Sequence, residues 1–195
     1  RLLFIAFLNA APVAVSSTLF LFFVESRLAA PGMEGVLLLL FFLSAAAAAP
    51  VWSRLAESYG ARPVLLFAMV VSIFAFGGAL LLGPGDVWLF ALICVASGFV
   101  VGADLTLLPA IFARRMAQIA PNAAEGFGLW SFMSKFTLAF AAIVLLPALD
   151  AAGFQTGTDN TAEALHLLGL LYAGVPCCLK LAAIALLATT DLKEN

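Results

Sequence analysis

Apolar residues run along this chain in six blocks, each long enough to cross a lipid bilayer and each closed by a short polar turn. The blocks cover about residues 2–24, 35–55, 64–82, 87–113, 126–149 and 164–189. A hydrocarbon core about 30 Å thick needs roughly 20 apolar residues in a helix rising 1.5 Å per residue, and the blocks meet that length. The alternation of polar and apolar positions that marks a transmembrane β-barrel is absent. The connections AAPGME, AESYGARP, GPGD, residues 114–125 and DAAGFQTGTDNTAE hold the Pro, Gly, Asn and Asp that end helices and form turns. The pattern predicts an all-α membrane protein, a single domain of six transmembrane helices over residues 1–195.

Composition agrees. The 195 residues are 65% hydrophobic and 10% charged, against about 25% charged in a soluble domain. The net charge of −2 says little, but its distribution says more. With the N-terminus in the cytoplasm, Arg1, Arg54, Arg62, Arg114, Arg115 and Lys193 fall on the cytoplasmic side and only Arg27 on the other. Positive residues stay inside, so both termini are expected there; a bacterial cytoplasmic (inner) membrane is the expected location. No basic patch with interleaved aromatics points to nucleic acid. The chain opens on Arg1 rather than Met, and the expectation is a segment of a longer protein.

Two charges stand where a bilayer makes them costly. Asp104 lies ten residues before Arg114, and Lys135 ten residues after Glu125, which puts both about 15 Å deep. Unpaired, each would cost roughly 2.5–3.5 kcal/mol. Opposite charges at one depth on consecutive helices predict an Asp104–Lys135 ion pair. Ser97 shares the face of Asp104, and Gly128 and Ser131 share that of Lys135. The pair therefore either lines a polar cavity or statically locks two helices. Lys180, at similar depth, is read as snorkelling to the cytoplasmic headgroups.

Other polar positions carry less. Asn9, Ser16, Ser17 and Thr18 offer sugar-type hydrogen bonds or bonds to backbone and neighbouring helices. Trp52, Trp88 and Trp130 sit near span ends and read as interfacial belts, with Trp130 also a candidate cavity wall beside Lys135. Gly98 and Gly102, and the alanine run 45–49, read as close-packing faces. Cys94, Cys177, Cys178 and His166 show no metal-ligand spacing and read as packing residues. No metal site, cofactor site or catalytic grouping is expected, and an enzyme is not.

The runs FLNAAPVAVSSTLFLFFVE, GPGDVWLFALICVASG, GADLTLLPA and GFGLWSFMSKFTLAFAA resemble the glycoside–pentoside–hexuronide:cation symporters, the melibiose-permease-like branch of the major facilitator superfamily. The similarity spans nearly the whole chain and matches the C-terminal six helices of such a transporter. The segment RLAESYGARP resembles the facilitator loop, with Glu57 in its acidic position, Gly60 as its turn glycine and Arg62 in its basic position, while Ser58 replaces a basic residue. The resemblance implies two six-helix halves around a central cavity and alternating access. It implies uptake of a sugar-like substrate coupled to Na+ or H+, with the cation site on the N-terminal half, outside this chain. Lys135 falls where the family has a cavity lysine. The partners implied are the bilayer and the N-terminal half. The alternative is another membrane complex, in which this chain is a non-transporting scaffold.

Overall fold

The turn glycines and prolines decide where the helices end, and small residues decide which of them touch. The structure is a computed structural model describing residues 2–119, 123–156 and 160–189. Helix α1 (Leu2–Phe22) runs on through a π-helical turn at Phe23–Arg27. Helix α2 (Glu34–Tyr59) ends at Gly60, whose φ of +89° suits glycine and turns the chain at once into α3 (Ala61–Gly78). A 3₁₀ turn at Ala79–Leu81 closes α3, and α4 (Val87–Ile119) and α5 (Ala123–Ala151) follow. The last span is built from α6 (Ala162–Gly169), a π-helical turn at Leu170–Gly174 and α7 (Val175–Thr189). The Thr161 hydroxyl caps α6 by accepting from Ala164 N at 3.2 Å.

Among the described residues there is no strand, and six helical stretches are long and apolar enough to cross a membrane. These are Phe4–Arg27, Glu34–Tyr59, Ala61–Leu81, Val87–Arg114, Gly128–Ala151 and Ala162–Thr189. The basic loop expected at 114–125 is mostly helix instead, because α4 continues past Arg114 to Ile119. The segment is built of Ala, Arg, Met and Gln, strong helix formers, and no breaker intervenes before Pro121. Arg1, Asp191 and Lys193 lie outside the described residues, as do the side chains of Arg115 and Glu125.

Helix α1 packs against α5 and α7, α4 packs on α2 and α3, and α7 also packs on α3. The α2–α4 contact is a close approach of backbones. A Cβ on Gly98 would lie 2.2 Å from Phe41 O, and one on Gly102 would lie 2.7 Å from Ala45 O. The two small-residue faces therefore bring backbone against backbone. Cross-helix bonds pin the contact, from Ser44 Oγ to Val95 O and from Trp52 Nε1 to Phe99 O, both at 2.7 Å. Trp52, read as an interfacial residue, is instead 2% exposed and part of the core.

The two π-helical turns meet. Phe23 in the first stacks on Tyr172 in the second with ring centroids 4.1 Å apart. Ser16 Oγ donates to Tyr172 O at 3.5 Å, one turn before Pro176, which has no N–H to give that carbonyl. At the same end Arg27 Nε donates to Leu82 O at 3.1 Å. At the opposite end Arg62 donates to Leu187 O and Ala188 O at 3.1 and 2.9 Å. Those carbonyls belong to the last turn of α7, where no intrahelical donor remains and the helix dipole favours a cation. Arg62→Ala should cost about 1–2 kcal/mol of stability and speed amide exchange in the last turn of α7. Unchanged exchange there would remove the anchoring role.

Candidate functional site

Three helices converge on one buried polar cluster. Asn9 from α1, Asp104 from α4 and Lys180 from α7 are 3%, 7% and 4% exposed. Lys180 Nζ donates to Asn9 Oδ1 at 2.7 Å and to Asp104 Oδ2 in a short ion pair. The other carboxylate oxygen, Asp104 Oδ1, is buried and has no hydrogen-bond partner among the described residues. Carboxylate and ammonium neutralise each other, so the cluster carries no net charge, but it keeps one strong acceptor unused.

The predicted Asp104–Lys135 pair is therefore corrected. The acid is paired with Lys180, and Lys135 stands on an exposed face of α5. The depth of both lysines is compatible with Asp104, so depth alone leaves the choice open. Packing settles it: α5 and α7 both lie against α1, but Lys180 of α7 turns inward to Asn9 and Asp104, whereas Lys135 is on the exposed face of α5. The snorkelling read for Lys180 is corrected with it. A long stem reaches the membrane surface only when nothing nearer satisfies the ammonium, and here two oxygens do.

A cavity of about 320 Å³ opens on this cluster between α1, α4 and α5. Asn9, Ser17, Asp104, Trp130 and Ser134 supply its polar and aromatic lining. Trp130 is thus a cavity wall rather than a belt residue, held by the Phe112 ring at 4.8 Å. A second cavity of about 340 Å³ shares Val13 and Ser17 with the first and is walled by Phe20, Phe41, Phe90 and Tyr172. Ser97, expected beside Asp104, lines this second chamber and donates to Ile93 O at 2.6 Å.

The remaining candidates fall apart from the cluster. Gly128, Ser131 and Lys135 form an exposed stripe on α5, and Ser134 returns its hydroxyl to Trp130 O at 3.1 Å. Thr18 bonds its own helix at Ala14 O. Glu57 is exposed, Gly60 makes the turn and Arg62 holds α7. Cys94 is buried as a packing residue, but Cys178 and His166 are exposed, which the reading as buried packing missed. Among the described residues no group of His, Cys, Asp and Glu is arranged to hold a metal. Sequence reasoning had every member of the cluster in hand but joined the wrong two. The available signal was charge count: one buried acid for two buried bases leaves one base over.

Six apolar helices around an intramembrane polar cluster define an integral membrane protein of the all-α, polytopic class. Over residues 1–194 the sequence matches the family described as MFS/sugar transport protein. The chain belongs to that family, and so to the major facilitator superfamily of transporters. No curated protein and no solved structure gives a match.

Proposed function

We propose that the chain is the C-terminal half of a secondary active transporter, carrying a sugar or glycoside by alternating access in a bacterial cytoplasmic membrane. Both termini face the cytoplasm, and the six N-terminal helices of the complete transporter complete the pathway. The coupling ion, Na+ or H+, binds on that other half. The melibiose-permease-like branch is the one its motifs resemble.

The observation that carries the substrate assignment is the unpartnered Asp104 Oδ1, in a residue that lines the cavity between α1, α4 and α5. Because Lys180 already balances the charge of Asp104, a further cation there would leave a net charge at mid-membrane, which is costly. A neutral hydroxyl satisfies the acceptor without that cost. A sugar brings several such hydroxyls, and Trp130 offers a ring face for its C–H surface. The cavity thus favours a neutral polyol over an ion.

Lys135 takes a different role. An exposed ammonium near mid-span would cost roughly 2.5–3.5 kcal/mol against lipid, so the Gly128–Ser131–Lys135 stripe faces the water-filled pathway between the halves. As rigid-body rocking opens that pathway to either side, the lysine meets substrate or the opposite wall. In the full-length protein reconstituted into vesicles, Lys135→Ala should lower glycoside uptake at least tenfold. Membrane insertion and melting midpoint should stay as in the parent, because the side chain has no structural partner among the described residues. Uptake at the parental rate would overturn the assignment.

A further inference from the structure

We infer that Asp104 and Asn9 form a latent monovalent-cation site, and that the Lys180 ammonium is its tethered occupant. The inference rests on the geometry of the ion pair and is independent of which substrate is carried. It is also separate from the coupling site placed on the other half.

The position of Lys180 Nζ is that of a bound cation. It is held by one amide oxygen and one carboxylate oxygen, contributed by two different helices, while the lysine itself comes from a third. Both donors are buried and both are oxygen, the donor set of a hard cation. A single positive charge there makes the cluster neutral, whereas a divalent ion would leave it positive. Lys180 itself does not line the cavity between α1, α4 and α5; it borders a separate small gap with Pro12, Ser72, Phe76 and Pro176. Asn9 and Asp104 do line that cavity, the approach an ion would take once the lysine stem is gone.

Removing the stem therefore leaves a buried carboxylate and an amide oxygen, in residues that line the cavity, with the space the stem vacates between them. An uncompensated charge in an apolar interior is strongly disfavoured, and a monovalent cation restores neutrality. In the native chain the lysine performs that function permanently. This makes the integrity of the cluster independent of ion concentration.

The test uses the full-length protein in detergent, with NaCl compared against choline chloride at equal ionic strength. The melting midpoint of Lys180→Ala should rise by about 5–10 °C when Na+ exceeds its Kd a hundredfold, beyond any rise in the parent. Adding Asp104→Asn or Asn9→Ala to Lys180→Ala should abolish that extra rise. Recovery of folded Lys180→Ala only from Na+-containing buffer is the same result in stronger form. An Na+ response equal to the parent's, or one that survives Asp104→Asn, overturns the site. If Lys180→Ala folds in neither salt, Lys180→Gln is put through the same comparison and decides by the same two outcomes. None of these readings involves transport, so loss of the uptake proposal leaves this one standing, and the reverse holds as well.

Discussion

Asp104→Leu should lower the stability of the folded protein by about 3–5 kcal/mol. The loss does not measure the attraction in the ion pair. It arises because the Lys180 ammonium, 4% exposed, would be left with only Asn9 Oδ1 as acceptor. Combining Asp104→Leu with Lys180→Met should restore most of the loss, since the pair is replaced by apolar groups of similar bulk and no charge stays buried. The remainder is the Asn9 amide, which loses its donor and retains a desolvation cost of about 1–3 kcal/mol. Melting midpoints or denaturant midpoints for the two single variants and the double give the coupling directly. A double variant as unstable as the sum of the singles would show that the two side chains do not act as a pair.

The second large effect is steric. Gly98→Ala places a Cβ 2.2 Å from Phe41 O and 3.0 Å from the Phe41 carbonyl carbon, both backbone atoms that cannot rotate away. Helices α2 and α4 must separate, and with them the bonds from Ser44 to Val95 O and from Trp52 to Phe99 O lengthen. The expected cost is about 3 kcal/mol, at the upper end of typical overpacking, and Gly98→Leu should prevent folding. Gly102→Ala meets Ala45 O at 2.7 Å and should cost less. Gly128→Ala, with nothing within 4 Å of the added carbon, is the control. It should be neutral or stabilise by up to about 1 kcal/mol through helix propensity. The same ranking should appear in the yield of folded protein extracted from membranes. Equal behaviour of Gly98→Ala and Gly128→Ala would contradict the close α2–α4 approach.

The two predictions bear on different parts of the proposed mechanism. The α2–α4 contact makes a rigid wall, and rocking of one half against another needs rigid walls. The Asn9–Asp104–Lys180 cluster joins α1, α4 and α7 near mid-span, so those three helices are expected to move together. Helix α5 is joined to the rest mainly along α1 and exposes its polar stripe. It is the element on which substitutions should change uptake while sparing stability, as stated for Lys135.

Much of the fold was legible in the order of residues. Apolar runs of sufficient length, ended by glycine, proline and polar turns, can be satisfied in lipid only as helices, because every backbone group must find its partner within the span. Gly60 marked the tight α2–α3 turn, and the Gly98–Gly102 spacing marked a close contact. Its partner is Phe41 and Ala45; the alanine run 45–49 also read as a close-packing face, but nothing in the order of residues joined the two. The extension of α4 beyond Arg114 was missed because charge was taken as a loop signal, although the residues concerned favour helix.

Hydropathy and spacing set how deep each charge sits, since a helix converts residue number directly into distance along the membrane normal. By itself the sequence therefore determined the six spans and brought Asp104, Lys135 and Lys180 to a common depth. Which lysine faces the acid depends on how neighbouring helices pack and rotate about their axes, and many residues of several helices fix that jointly. Only the tertiary structure decided that α7 lies against α1, bringing Lys180 to Asn9 and Asp104, and that Lys135 is left on the open face of α5.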